Sequence, residues 1–153
     1  MEFTKQGYIA QISVFLKQED SEKAYKLSKE FVNKFPNDVI THFLLCQSAY
    51  VVRKFDEAAL QGRMAFNKSS SYDDMLACTI LTASAYYENG KIVEGWEMLK
   101  FMERRKTNEN LEKLLFIYSL AVKNKNEAVN HLNELHRIND KAADELVIKY
   151  LVK

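Results

Sequence analysis

Apolar residues recur along this chain at intervals of three and four, which is the spacing of one face of an α-helix. The pattern predicts nine helical segments: approximately 3–18, 21–34, 39–52, 56–68, 73–88, 92–105, 109–123, 126–137 and 141–152. Pro36 and the pair Asn89-Gly90 mark helix ends, because proline restricts the residue before it and glycine accepts the left-handed conformation. With one proline and four glycines in 153 residues, we predict a protein that is nearly all helix.

Polar residues precede several of the predicted helices. Ser71 stands three residues before Asp74, and Asp38, Asn108 and Asp140 each precede a segment. Their side-chain oxygens are predicted to accept hydrogen bonds from the free backbone N–H groups of the first turn. The loops contain only a few residues, so neighbouring helices should be antiparallel.

Small residues recur on the second helix of each predicted pair with a period close to 34. Ala24 and Ala58 lie 34 positions apart, Gly95 follows 37 positions later and Ala128 a further 33. A period near 34 is typical of helix–turn–helix repeats, which bury their apolar faces by stacking on one another.

Four groups of residues carry a family signature. They are Tyr8, Ile12, Phe15, Ala24, Phe31 and Pro36; His42, Leu45, Cys46, Ala49, Ala58 and Ala65; Thr79, Thr82, Ala83, Tyr86, Gly90 and Gly95; and Glu112, Leu115, Phe116, Ala128 and Leu135. The pattern resembles the tetratricopeptide repeat (TPR), a helix A, a turn and a helix B, over about residues 5–140. The resemblance implies an all-α, right-handed solenoid of four TPR-like helix pairs plus a C-terminal capping helix. The single domain 1–153 would hold repeats at approximately 5–38, 39–72, 76–108 and 109–140, with the capping helix at 141–152.

The signature departs from the family at two positions of helix A. The usual tryptophan is replaced by Tyr8, His42, Thr79 and Glu112, and the usual glycine by Ile12, Cys46, Ala83 and Phe116. We therefore predict a general TPR-like fold and no particular TPR subfamily.

Composition narrows the classes of partner. Apolar residues make up 47% of the chain and charged residues 28%, which is typical of a globular protein. The 22 basic and 21 acidic residues nearly cancel, so we expect no nucleic-acid partner. No run of about 18 apolar residues occurs, so we expect no membrane insertion. Cys46 and Cys78 lack disulfide or metal spacing, which favours a cytoplasmic location.

The histidines invite a metal or acid–base interpretation that their spacing does not support. His131 and His136 are five residues apart, whereas three or four would align them on one helix face. With His42 they are predicted to be helix-surface or half-buried residues, and no metal site or cofactor is expected.

The sequence also predicts structural roles, and not catalytic ones, for a cysteine and for two pairs of acidic residues. Cys46 stands at a position that requires a small side chain, and buried cysteine packs as a small hydrophobe. The pairs Asp56-Glu57 and Asp73-Asp74 lie in first turns, where negative charge is favourable. No glycine-rich phosphate loop or hydrolase motif occurs, so we predict that the protein is not an enzyme.

The TPR resemblance implies a concave wall built from helix A. Its positions hold Ile9, Ser13, Phe43, Gln47, Tyr50, Ile80, Ser84 and Tyr87. Apolar and aromatic side chains of this kind are suitable anchors for a segment of another protein. TPR co-chaperones bind chaperone C-termini through a Lys/Asn/Arg clamp, whose positions here hold Ile9, Ser13, Leu44, Ala77 and Leu81, so that function is rejected.

We therefore predict a non-catalytic protein–protein interaction module or scaffold that binds a partner segment in this groove. One alternative is a class II secretion-type TPR chaperone that masks apolar segments. Another is a structural subunit of a larger trafficking or coat-like complex. Trp96, Met98 and Met102 lie in a strip that is apolar on more than one face. Such a strip is buried in the helical stack or forms a second docking surface; the oligomeric state is left open.

Overall fold

The computed structural model describes residues 3–151 and shows only helices in that range. In chain order they are α1 (Lys5–Lys17), α2 (Ser21–Lys34), α3 (Val39–Val51), α4 (Phe55–Lys68), α5 (Tyr72–Glu88), α6 (Ile92–Glu103), α7 (Glu109–Ala121), α8 (Lys125–Ile138) and α9 (Asp140–Leu151). The all-α prediction and its nine segments are confirmed within this range. None of these helices combines the length and apolar character needed to cross a bilayer.

The chain forms two compact units, Met1–Asn89 and Gly90–Lys153. In the first unit each helix packs on the next, and α3 also contacts both α1 and α5. In the second unit α6 packs on α7, α7 on α8, and α9 contacts both α7 and α8. Consecutive packing of this kind is typical of helical repeats.

Aromatic stacking fills the start of the first unit. The ring of Tyr8 stacks on that of Phe31, with their centroids 5.0 Å apart, and both side chains are buried. Ile12, Ala24 and Leu44 complete this cluster. Tyr8 therefore supplies the aromatic packing that the usual TPR tryptophan would provide.

The period of about 34 reappears in the backbone. Glu19, Arg53, Gly90 and Lys123 all have positive φ, between 57° and 74°. Each follows the C-terminal end of α1, α3, α5 or α7. After three of them, the next N–H returns to a carbonyl five residues back, from Asp20 to Phe15, Lys54 to Ala49 and Asn124 to Ser119, at 2.8–3.0 Å. These bonds define the Schellman ending of a helix, so one turn is reused along the chain.

Two of the four predicted caps are confirmed. Ser71 accepts from the N–H of Asp74, and Asn108 accepts from that of Leu111. The prediction for Asp38 was wrong, because its carboxylate makes no cap bond and pairs with Lys5 at 3.1 Å. Asp140 is not a cap either: it is the first residue of α9, and the Asn139 side chain accepts from the N–H of Ala142.

The periodic small residues are buried at helix contacts. Ala24, Ala58, Gly95 and Ala128 are all buried. A Cβ added at Gly95 would lie 1.7 Å from the hydroxyl of Tyr118, so this position on α6 admits no side chain where it meets α7.

Helix α9 covers the apolar surface of α7 and α8. Ala142, Ala143 and Leu146 pack with Phe116 and Leu135 in one buried cluster. Burial of this surface is the role expected of a terminal capping element.

Removal of residues 141–153 is expected to cause aggregation, because it exposes the cluster under α9 as an apolar patch. Leu146→Asp should reproduce the effect, since Leu146 is buried, whereas Ile148→Asp should not, since Ile148 is 64% exposed. Size-exclusion chromatography with light scattering measures the outcome. A truncated protein that stays monomeric and equally stable would contradict the capping role.

Candidate functional site

The predicted wall residues lie on the first helix of each pair in the first unit. Ile9 and Ser13 are on α1; Phe43, Gln47 and Tyr50 on α3; Ile80, Ser84 and Tyr87 on α5. Contacts of α3 with α1 and with α5 make these three helices neighbours. Ser13 and Tyr87 are exposed and the other six residues are half-buried, so all eight keep some accessible surface.

The two serines add little polarity to this surface. Ser13 donates its hydroxyl to the carbonyl of Ile9 at 2.7 Å, and Ser84 donates to that of Ile80 at 2.8 Å. Because both hydroxyl protons are used within their own helices, the surface between these turns is mainly aliphatic and aromatic.

A depression of about 240 Å³ lies beside Phe43. Val39 and Ile40 line it with Phe43 from α3, and Asp74 and Ala77 line it from α5. The depression has apolar walls and one carboxylate at the first turn of α5, so it suits an apolar side chain with a cationic neighbour.

The thiols of the first unit are unsuited to catalysis. Burial, followed by the proximity of Cys78, raises the pKa of Cys46 to about 12. Burial also raises the pKa of the Cys78 thiol. Because the thiolate is the nucleophile, neither cysteine is prepared for attack at neutral pH.

Of the two alternatives for the strip at Trp96, Met98 and Met102, burial or a second docking surface, the structure shows burial for Met98 and Met102. Met98 is 6% exposed and Met102 is 0% exposed, so neither offers a surface to a partner. Trp96 is half-buried; its ring meets that of His131 edge-on at 5.9 Å, and Lys100 Nζ lies 5.1 Å from its centroid. In α6 the buried residues are Gly95, Met98, Leu99 and Met102, and the helix packs on α7.

The second unit contains a polar cluster, which we call the His131 cluster: Lys100, Glu103, Thr107, Glu112, Glu127 and His131. His131 Nδ1 lies 2.8 Å from Glu112 Oε1 and 3.1 Å from Glu103 Oε2, and Nε2 donates to Glu127 at 2.9 Å. Lys100 Nζ contacts Glu103 at 3.2 Å and Glu127 at 3.1 Å. Thr107 donates its hydroxyl to the second oxygen of Glu112.

Burial and ion pairing set the pKa values in this cluster. Burial favours the neutral imidazole, but hydrogen bonding of the imidazole N–H to the carboxylates of Glu103 and Glu112 outweighs burial and raises the pKa of His131 to about 9. Burial opposes ionisation of Glu103 as well, yet its bond with His131 holds its pKa down at about 2. Burial raises the pKa of Glu112. His131 is therefore the cation that compensates buried carboxylates.

The prediction of helix-surface or half-buried histidines was wrong for two of the three. His131 is buried in this cluster, and His42 is buried with Gln61 Oε1 and the Pro36 carbonyl each 2.7 Å from its ring nitrogens. His136 is half-buried, as predicted. Two signals for the cluster were in the sequence: Glu127 and His131 are four residues apart, and Glu112 occupies a tryptophan position.

Two solved structures are similar to this protein over most of its length and identify its fold. One, described as MamA MSR-1 C2, superposes with a TM-score of 0.71 at 14% identity, over 96% of this chain and 79% of its own. A TPR repeats protein from Bacteroides fragilis NCTC 9343 gives 0.62 at 18% identity, over 95% and 68%. This protein has the tetratricopeptide-repeat fold. No family profile and no curated protein matches the sequence, so the TPR resemblance rests on the repeat pattern and the structure together.

Proposed function

We propose that this TPR protein is a non-catalytic interaction module that binds a segment of another protein on the wall formed by α1, α3 and α5. The observation that carries the proposal is a row of accessible apolar and aromatic side chains on three neighbouring helices: Ile9, Phe43, Tyr50, Ile80 and Tyr87. Aromatic anchors that are desolvated on binding contribute most of the energy of such interfaces.

The wall suits an apolar side chain better than a carboxylate group. The depression beside Phe43 carries the negative charge of Asp74 and lacks a basic lining residue. We therefore expect a partner segment with an apolar anchor and a nearby lysine or arginine. Asp74 offsets the dipole of α5 as well, so its contribution to binding should be secondary to that of the apolar contacts.

Substitution of the wall aromatics should abolish partner capture. The triple variant combines Phe43→Ala, Tyr50→Ala and Tyr87→Ala. Each substitution should remove an anchor that contributes about 2 kcal/mol of binding free energy, or about 30-fold in affinity. A matched control is Leu60→Ala with Met64→Ala, because both residues are exposed apolar positions on α4, outside the wall. The measurement is quantitative affinity capture from native lysate, followed by titration of the identified partner against Tyr50→Ala and Tyr87→Ala.

The same titration at two salt concentrations tests the chemistry of the wall. Apolar contacts are screened little by salt, so binding should weaken only modestly as salt rises. If wall and control variants bind like the wild type and the affinity collapses with salt, the wall is not the binding surface. Capture of an exported protein would favour the secretion-chaperone alternative, and co-purification of a stable assembly would favour the structural-subunit alternative.

A further inference from the structure

Two carboxylates converge on one ring nitrogen in the His131 cluster. His131 Nδ1 lies 2.8 Å from Glu112 Oε1 and 3.1 Å from Glu103 Oε2. One oxygen from each carboxylate and one ring nitrogen all lie within 4.8 Å of one another. A single N–H proton cannot point along both directions at once, whereas a metal ion between the three atoms bonds to each of them.

We propose that Glu103, Glu112 and His131 bind a divalent first-row transition metal ion, with Zn²⁺ as the representative, in place of the proton on Nδ1. Imidazole together with carboxylate is a donor set suited to such ions, whereas Mg²⁺ and Ca²⁺ prefer oxygen alone. Zinc bonds to nitrogen and oxygen are about 2.0–2.2 Å long, so tetrahedral ligand atoms lie about 3.3 Å apart. The two carboxylate oxygens lie 2.8 and 3.1 Å from Nδ1, within about 0.5 Å of that separation.

The charges of the cluster match a divalent ion. Glu103, Glu112 and Glu127 contribute three negative charges, and Lys100 contributes one positive charge at 3.1–3.2 Å from Glu103 and Glu127. When His131 is neutral, as a metal ligand must be, two negative charges remain. A doubly charged cation neutralises them, and Glu112, which is fully buried, then keeps a direct counter-charge.

Each proposed ligand is oriented by a group on its far side. Glu127 accepts from His131 Nε2 at 2.9 Å, which turns Nδ1 toward the two carboxylates. Thr107 donates to the second oxygen of Glu112, and Lys100 donates to the second oxygen of Glu103. A carboxylate behind the ligating histidine is the usual outer shell of a zinc site.

A cavity of about 350 Å³ reaches two of the three proposed ligands, Glu103 and His131. Glu103, His131 and Thr107 line it together with Asn130 and Glu134, and the Glu103 side chain is 23% exposed. The cavity provides an entry path for the ion and room for water as a fourth ligand, an arrangement found in zinc sites with three protein ligands.

The test is Zn²⁺ binding to the full chain after treatment with EDTA and removal of the chelator. Competition with a chromophoric chelator should show one site in the wild type, and its affinity should fall at least tenfold in His131→Gln and in Glu103→Gln. Glu127→Gln should weaken binding about 10–100-fold, as outer-shell changes do. Zn²⁺ should raise the melting temperature of the wild type, and Mg²⁺ should not.

His136→Gln is the matched control. His136 is on the same helix as His131 and contacts Asp140 at 2.6 Å in a more exposed acidic group, so its loss should leave the site unchanged. Glu103→Gln changes a partly exposed side chain, and circular dichroism in EDTA checks that it folds. Equal Zn²⁺ affinity in wild type, His131→Gln and Glu103→Gln overturns the proposal, as does a site lost only in His136→Gln.

Discussion

A His131→Leu variant is expected to lose about 3–4 kcal/mol of unfolding free energy at neutral pH. His131 is the cation nearest to Glu112, whose side chain is 0% exposed. Without His131 the Glu112 carboxylate is buried with no counter-charge. Breaking a buried pair by removing one partner costs about 3–5 kcal/mol. In the variant, the Glu112 carboxylate can become neutral by binding a proton. Protonation at pH 7 of a group with an ordinary pKa near 4.3 costs about 3.7 kcal/mol, so the loss of unfolding free energy should not exceed that value by much. Urea denaturation in EDTA measures it.

Two further variants make this result specific to the buried pair. His136→Leu removes a half-buried histidine whose partner Asp140 is 80% exposed, so it should change stability by less than about 1 kcal/mol. The double variant Glu112→Leu with His131→Leu should recover most of the loss, because apolar replacement of a buried pair is often close to neutral. If the double variant is as unstable as the single one, lost packing and not the unpaired carboxylate explains the effect.

Gly62→Ala is expected to destabilise the first unit by about 2 kcal/mol. A Cβ at Gly62 on α4 would lie 1.9 Å from Thr82 Oγ1 on α5 and 3.0 Å from Cys46 Sγ on α3. All three residues are buried, so overpacking should cost about 3 kcal/mol. Alanine is more favourable than glycine inside a helix by about 1 kcal/mol, so the net loss of stability should be about 2 kcal/mol. Denaturation followed by circular dichroism measures it.

Thr82→Ala in the Gly62→Ala background should restore much of the stability, because it removes the hydroxyl that the new methyl group would meet. Gly7→Ala is the control for helix propensity: its nearest neighbours are side chains of Phe3 and Thr4 at 3.2–3.3 Å, and its effect should stay below about 1 kcal/mol. A neutral Gly62→Ala variant would mean that α4 and α5 separate easily at this point.

The repeat could be predicted from local sequence signals. In the sequence, Ala24, Ala58, Gly95 and Ala128 mark the close helix contacts, and in the structure all four are buried. The left-handed turns at Glu19, Arg53 and Lys123 were not predicted, because these residue types carry no signature for positive φ. Gly90 was the exception, since glycine adopts that conformation without strain.

The wall residues followed from the TPR resemblance, and their binding role stays a prediction. At α6 the sequence left two alternatives for an apolar strip, burial within the protein and docking of a partner. The hydrophobic pattern indicates which side chains avoid water. It does not indicate whether they are buried within this protein or by a binding partner. For Met98 and Met102 only the packed structure decided.

The sequence by itself determined the helices, their period and the TPR fold, because these depend on neighbours three to five positions away and on one repeated turn. The sequence held two signals for the His131 cluster, but only the tertiary structure brought its members together. Glu103, Glu112 and His131 belong to α6, α7 and α8, and no local spacing links them. Their chemistry arises because packing buries Glu112 and His131, so that the carboxylate of α7 takes its counter-charge from the imidazole of α8.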